Sequence, residues 1–329
     1  MPPSTLLLTG ADVRSLLSLK ECIDAVEVAM GSHGLGLAPA PRVLGYHVTH
    51  GGFHVKAGAL AEERSRFAAK VNANFPENPR RFGLPTIQGV VLLFDALNGS
   101  VLAIMDSMEI TRLRTAAASA VAAKHLARAD ARTVTICGCG VQGRAHVEAM
   151  MLVRGLERVR LYDVDAGRAE RLCGELASSF RVSLEVVRDL AAAARTSDIV
   201  VTCTPARAPL LAAGDVSPGA FIAAVGADHP EKQEIAPALL ASASIVTDVT
   251  DQAATMGDLH HAIACGALTR GAVHAELGEV LAGRRPGRRT EDEIIVFDST
   301  GMALQDVAAA ALVYEGALQG GRGTTFRFA

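Results

Sequence analysis

The stretch VTICGCGVQGRAHVEAM, residues 133–149, limits the fold more than any other part of the chain. A short apolar run breaks at Gly138, Gly140 and Gly143 and then resumes as an amphipathic stretch. Strand, glycine turn and helix in that order form a dinucleotide fingerprint. The glycines let the backbone turn sharply and approach a pyrophosphate, whose charge meets the helix N-terminus. The next apolar run, RVRLYD, ends in Asp163, twenty residues beyond Gly143. A carboxylate there suits a ribose 2′-hydroxyl and repels a 2′-phosphate, so NAD(H) is favoured, with NADP(H) left open. The bland alternatives are glycines that serve packing alone and Asp163 as a surface acid, with Asp165 and Arg168 close enough to alter the choice.

Around this turn the chain alternates. The Ala-rich EITRLRTAAASAVAAKHLARADA predicts about four turns of helix. Then TVTIC is followed by QGRAHVEAMMLV, RVRLYD by AGRAERLCGELASSF, and SLEVV by DLAAAAR, before DIVVTC, AFIAAVG and SIVTDV. Near-continuous apolar strands separated by helices predict a parallel sheet covered on both faces. Ligands of such sheets collect at the carboxyl ends of the strands, where VVTCTP places Thr202 and Thr204 and AAVGADHPEK places Gly226 and Asp228. Asp228 serves either chemistry at the nicotinamide end or a helix cap.

The first third reads differently. TGADVRSLLSLKECIDAVEVAMGSHG predicts two helices, capped at Thr9 or Asp12 and ending at Gly31 and Gly34. RVLGYHV, GGFHVKAGAL, RFAAKVNA and GVVLLFDALNGSVLAIMD predict an antiparallel or mixed sheet, with a type I′ hairpin turn at Asn98-Gly99. The boundary between the two regions falls near residue 115. EIIVFDSTG reads as a last strand, and MALQDVAAAALVYEGALQG as a long apolar helix that returns to pack on the first region. AGRRPGRRTEDE reads as a solvated loop.

Composition excludes several classes. With 329 residues, half of them apolar, the chain can bury two domain cores. Its 32 Lys plus Arg against 35 Asp plus Glu give no basic excess for a phosphate backbone, so nucleic acid is not an expected partner. The apolar run in MPPSTLLLTG is too short for a secretion signal, and no run reaches the roughly 20 residues that cross a bilayer, so no membrane partner and a cytoplasmic location are expected. The six cysteines are scattered without zinc spacing or a disulfide framework, and read as packing residues or inert thiols. His54 and the pair His260-His261 lack ligand spacing and read as structural, so no metal centre is expected.

FAAKVNANFPENPRRFGLPTIQGVVLLFDALNGSVLAIMDSMEITRLRTAAASAVAAKHLARAD strongly resembles the ornithine cyclodeaminase/μ-crystallin family. The resemblance continues through VTICGCGVQGRAHVEAM, DIVVTCTP, AAVGADHPEKQE and FDSTGMALQDVAAAA. It implies a Rossmann-type doubly wound parallel sheet inserted in a second α+β domain that binds substrate and forms a homodimer, with active sites in the cleft between the domains. Residues 116–298 would bind NAD, and residues 1–115 with 299–329 would form the substrate and dimerisation domain. The cofactor contacts implied are Thr115, Gly138, Gly140, Val141, Gln142, Gly143, Asp163, Thr202, Thr204, Val225 and Gly226.

The family's carboxylate-binding lysine and arginine fall on Lys70 and Arg114, and a further arginine on Arg42, whose alternative is a surface ion pair. Lys56 lines the same pocket or serves structure, and Asp228 matches a residue for water activation or proton transfer. A guanidinium grips a carboxylate through two parallel hydrogen bonds and fixes which face of the α-carbon meets the nicotinamide. Lysine adds charge and a proton donor, and an acid near a forming or decaying imine moves a proton or orients water.

One departure bears on substrate. Diamine-using members carry a glutamate upstream of the catalytic lysine, whereas FHVKAGAL offers His54, Val55 and Lys56 and no acid. The resemblance then implies an NAD(H)-dependent oxidoreductase acting on the carbon–nitrogen bond of a small α-amino or α-imino acid, of the imine reductase or alanine dehydrogenase type. The alternatives are an ornithine or lysine cyclodeaminase with catalytic NAD, and a μ-crystallin-like protein that binds NAD(P)H and a small ligand.

Overall fold

The computed structural model describes residues 4–61 and 65–328, so the first three residues of the opening quoted above lie outside it. The chain up to Arg114 and the chain from Met302 onward form one compact unit, and Thr115–Gly301 form a second. The first begins with β1 (Thr5–Leu8), α1 (Gly10–Leu16) and α2 (Leu19–Gly34). Thr9 caps α1 as expected: its hydroxyl accepts from the Asp12 N–H while the Asp12 carboxylate accepts from the Thr9 N–H. Next come β2 (Arg42–Val48), β3 (Gly51–Leu60), β4 (Arg66–Asn74), a short α3 (Asn78–Phe82), β5 (Ile87–Asp95) and β6 (Val101–Asp106). Helix α4 (Met108–Leu126) carries the chain from one unit to the other, the division falling between Arg114 and Thr115.

The second unit runs β7 (Thr133–Cys137), α5 (Val141–Val153), β8 (Arg158–Tyr162), α6 (Ala166–Leu176), β9 (Ser183–Val186), α7 (Leu190–Arg195), β10 (Ile199–Thr202) and β11 (Arg207–Leu211). It continues through β12 (Phe221–Ala224), β13 (Gln233–Ile235), α8 (Pro237–Ala241), β14 (Ser244–Thr247), α9 (Thr250–Met256) and α10 (Asp258–Ala264). β15 (Val273–Glu276), α11 (Leu277–Leu281) and β16 (Ile295–Asp298) complete it. The chain then returns to the first unit as α12 (Ala303–Gly320) and β17 (Thr324–Phe326). Among the described residues no helix is long and apolar enough to cross a membrane.

In the first unit seven strands lie in the order β17-β1-β6-β5-β4-β3-β2, antiparallel except where β1 runs parallel to β6. Register puts Val43, Lys56, Lys70, Val91 and Met105 in one row across five strands. Because side chains alternate between faces, this row shares a face, and α12 packs on it. Gly58, two residues from Lys56, leaves room there for Ala303 and Leu304. The opposite face carries Leu44, Tyr46, Phe53 and Val90, all exposed.

Asn98-Gly99 does close a hairpin, but the turn is not type I′. Gly99 alone takes a positive φ (+77°), and no described residue other than glycine does. The side chains of Asp95 and Asn98 accept from the N–H groups of Leu97 (2.8 Å) and Ser100 (2.9 Å), which supports a wider loop that needs one left-handed residue.

The second unit holds an all-parallel sheet in the order β15-β14-β16-β12-β10-β7-β8-β9, with a separate parallel pair β11-β13. Winding from β7 outward through β8 and β9, then back through β10 and β12, is the Rossmann order, and it leaves a topological switch point between β7 and β10. The sequence reading passes over β11, β13, β15 and β17, which have three to five residues each. EIIVFD is therefore the last strand of this sheet and not of the chain. AGRRPGRRTEDE is a mostly exposed loop, as expected, with Arg288 half-buried in it. Arg288 donates to the carbonyls of Leu126 (2.9 Å), Thr290 (3.3 Å) and Glu291 (3.4 Å), closing the loop with its guanidinium fork.

Candidate active site

The first unit gathers three of the four predicted cations. Lys56 and Lys70 are directly opposed on β3 and β4, and both are buried. Arg114, on α4, is buried beside them. What unites them is Asp306 on α12. Its Oδ1 lies 2.7 Å from Lys70 Nζ and 3.0 Å from Arg114 Nε, and the neighbouring Gln305 Oε1 accepts from Arg114 Nη1 at 2.9 Å. Arg42 is not brought in. It is exposed at the first residue of the edge strand β2, and its register partner Ala57 belongs to the face opposite the lysine row.

Electrostatics in this cluster are set by burial and by mutual charge. Burial drives the Lys70 pKa down, the Arg114 charge adds to that, and Asp306 pulls it back, leaving it at about 7. A lysine poised there both gives and takes a proton near neutrality. Burial alone would raise the Asp306 carboxyl, but the charges of Lys70 and Arg114 outweigh it and hold its pKa below the usual value.

The second unit builds the glycine turn as the fingerprint requires. Gly138 has φ +105°, and a Cβ there would lie 2.9 Å from the Cys203 carbonyl oxygen. A Cβ on Gly143 would lie 2.0 Å from the Gly138 carbonyl oxygen, so only glycine lets the first turn of α5 sit on the loop. Gly140 is the N-cap of α5, with no side-chain cap, and a Cβ there would meet nothing within 4 Å. The first turn of α5, which no side chain caps, suits an anion such as a pyrophosphate. Asp163, just past β8, accepts from the Cys139 N–H at 2.9 Å and from the Asp165 N–H at 2.9 Å. This places the acid beside the turn, where a ribose hydroxyl would meet it. Burial pushes the Cys139 thiol up to about 12, so it is no thiolate at neutral pH.

At the carboxyl ends of β10 and β12, one residue that the sequence reading did not single out organises the rest. Glu234, fully buried, accepts from the Thr202 hydroxyl (2.7 Å), from both the hydroxyl (2.7 Å) and N–H (2.6 Å) of Thr204, and from the Gly226 N–H (2.7 Å). Thr202, Thr204 and Gly226 are thus held by a single carboxylate, and Val225 is tied to Thr202 O at 2.9 Å. Thr115 is buried in the second unit at the start of its share of α4. Asp228 follows on the loop after β12, its side chain 54% exposed and 2.6 Å from Lys232 Nζ. No helix starts there, so it is not a cap.

Beneath Glu234 lie three more buried acids. Asp258 accepts from the N–H groups of Glu234 (2.8 Å) and Ile235 (2.9 Å), Asp298 from that of Leu259 (2.8 Å), and Asp248 from the Thr300 hydroxyl (2.9 Å). Burial, reinforced by the Asp298 and Glu234 charges, pushes the Asp258 carboxyl far up. Burial also raises Asp298, to about 7, against the N–H bonds from Leu259 and Asp258. A raised folded-state value means that the native protein binds protons the unfolded chain releases. The stability this contributes is full at low pH, below the ordinary carboxylate pKa, and is lost as pH rises through about 7. Asp298→Asn, which cannot ionise, is accordingly expected to lose less Tm than wild type between pH 5 and pH 8. Parallel slopes in a melting series would refute this.

Fold and site together define a Rossmann-type α/β protein whose parallel sheet carries a dinucleotide turn and whose other unit buries a cationic cluster. The profile of the Ornithine cyclodeaminase/mu-crystallin family matches residues 4–321, and the chain belongs to that family. It is 37% identical to an archaeal alanine dehydrogenase solved as a dimer with bound NAD, covering 99% of this chain and 100% of that one at a TM-score of 0.95. It is 33% identical to the Thermococcus litoralis Δ1-pyrroline-2-carboxylate reductase solved with NADH and L-proline, covering 97% and 99% at 0.92. The iminosuccinate reductase of Paracoccus denitrificans, solved with NAD+, is 31% identical over 99% of this chain and 100% of that one, at 0.90.

Proposed function

We propose that the protein is an NAD(H)-dependent oxidoreductase acting on the carbon–nitrogen bond of a small α-imino or α-amino acid. The observation that carries this is the buried set of Lys56, Lys70 and Arg114, the last two of which meet one carboxylate, Asp306, as described above. A cationic cluster so placed suits an anionic substrate. The relatives solved with NAD or NADH, one of them with L-proline, support the same reading. Asp163 beside the glycine turn supports NAD(H) over NADP(H).

Bound NADH would supply hydride to the imine carbon. Arg114 would hold the substrate carboxylate through its guanidinium and so orient the imine. Lys70, poised near neutrality, would donate the proton that the nitrogen takes up, and in the reverse direction would accept it. Asp228, with Lys232 beside it, is the second candidate for that proton. A diamine substrate is disfavoured because Lys56 puts a cation where a distal ammonium would need an acid. The exposed apolar face bearing Leu44, Tyr46, Phe53 and Val90 fits a second copy of the chain, and one relative is a dimer.

The test is NADH consumption by purified protein with a panel: pyruvate plus ammonia, oxaloacetate plus ammonia, glyoxylate plus methylamine, Δ1-pyrroline-2-carboxylate and Δ1-piperideine-2-carboxylate. Stoichiometric loss of NADH with at least one of them is expected. Release of ammonia from ornithine or lysine with NAD, and no NADH consumed with the panel, would instead assign a cyclodeaminase. Silence in both assays would favour a binding protein.

A further inference from the structure

We propose that Asp306 is a positioning residue of this reaction, a buried carboxylate whose single oxygen Oδ1 holds the Lys70 ammonium and the Arg114 guanidinium at once. The inference rests on the roles given above to Lys70 and Arg114 and extends them to a residue of α12 that acts through those two side chains.

Three features carry it. Asp306 is an acid within the apolar first half of α12, with Ala303, Leu304, Val307, Ala308, Ala309 and Ala310 all buried around it, so its placement costs desolvation that packing does not recover. Its Oδ1 faces the two groups that would meet the substrate, accepting a hydrogen bond from Lys70 Nζ at 2.7 Å and forming an ion pair with Arg114 Nε at 3.0 Å. Its other oxygen, Oδ2, is buried and has no hydrogen-bond partner among the described residues. A carboxylate kept only to join α12 to the sheet would use both oxygens. This one turns a single oxygen toward both Lys70 and Arg114.

The physical consequence follows from the groups that face Lys70. Lys56 on β3 and Arg114 on α4 repel its proton and Asp306 on α12 retains it, while the buried thiol of Cys22 on α2, near Arg114 and Asp306, is pushed up to about 12 by burial and is neutral. Without Asp306, a buried ammonium would stand between two other cations and lose its proton. The proton donor for imine reduction would then be absent at neutral pH, and the Arg114 fork would lose the contact that fixes its Nε.

Asp306→Asn, nearly isosteric, tests this in two ways. The first needs no turnover: carbon-13 lysine NMR of the whole protein, with the Lys70 signal assigned by its disappearance in Lys70→Met. In wild type the Lys70 signal is expected to titrate near neutrality, and in Asp306→Asn at a pH lower by at least about one unit, the effect of removing one adjacent opposite charge. The second is the rate of NADH oxidation with the fastest substrate of the panel. Here kcat at pH 8 is expected to fall about 10- to 100-fold, with partial recovery at pH 6, while the Kd for NADH is unchanged. Asp306→Glu is expected to restore part of the rate. An unmoved Lys70 titration with a wild-type pH profile would overturn the proposal. If Lys70→Met is as active as wild type, the role of Lys70 itself fails, whatever Asp306 does.

Discussion

Arg114→Ala is expected to lower kcat/KM for the imino acid by about 10²- to 10⁴-fold while leaving NADH affinity within about a factor of two. Two charge-assisted hydrogen bonds to a carboxylate, at about 1.5–3 kcal/mol each, set that range. The loss should fall on both kcat and KM, since the guanidinium orients the substrate as well as holding it. The same substitution removes one of the two cations on Asp306 and the donor to Gln305 Oε1, so Tm should fall too. NADH binding, read by fluorescence, separates these effects because the dinucleotide turn belongs to the other unit. Arg114→Lys keeps the charge without the fork and is expected to recover only part of the rate. An alanine variant with wild-type kcat/KM would remove Arg114 from the site.

The second large effect belongs to the glycine turn, and a pair of variants isolates it. In Gly143→Ala the new Cβ would lie 2.0 Å from the Gly138 carbonyl oxygen, so the first turn of α5 must lift off the loop. Both Tm and NADH affinity are expected to drop, the affinity by at least about 100-fold, equivalent to about 3 kcal/mol. In Gly140→Ala the new Cβ meets nothing within 4 Å and the residue has φ −85°, so the fold should be untouched. Yet that open space is where a pyrophosphate would approach, and NADH should still bind more weakly. Calorimetry on the two would distinguish a packing role from a binding one. Wild-type NADH affinity in Gly140→Ala would mean that the turn does not hold the pyrophosphate.

How much of this was legible in the sequence depended on the range of the signal. The glycine turn, its strand and its helix are local, and three positions spaced along one stretch carry the pattern. Thr9 and Asp12 announced their helix start for the same reason. The Asn98-Gly99 turn was misread because the acceptors supplied by Asp95 and Asn98 settle the loop type, and a dipeptide rule does not weigh them. Strands such as β11 and β13 have no periodicity to show at five and three residues. Asp306 had a signal, an acid in an apolar helix, but its partners lie 236 and 192 positions earlier, at Lys70 and Arg114, and no spacing rule reaches that far. Glu234 had none, since its neighbours in EKQE are just as polar and its four bonds exist only once β13 is brought to the residues that end β10 and follow β12. Arg42 was suggested by a short motif, and the pleat of β2 sets it on the other face.

Asp163 has a consequence for anyone who would retool this enzyme for a different coenzyme. Its two oxygens are spent on the main chain, one on the Cys139 N–H inside the glycine turn and one on the Asp165 N–H ahead of α6. Deleting the carboxylate to admit a 2′-phosphate would unfasten the loop that must grip the rest of the molecule. A successful redesign has to keep an acceptor at position 163, as asparagine or serine does, and bring the compensating positive charge from elsewhere on the rim.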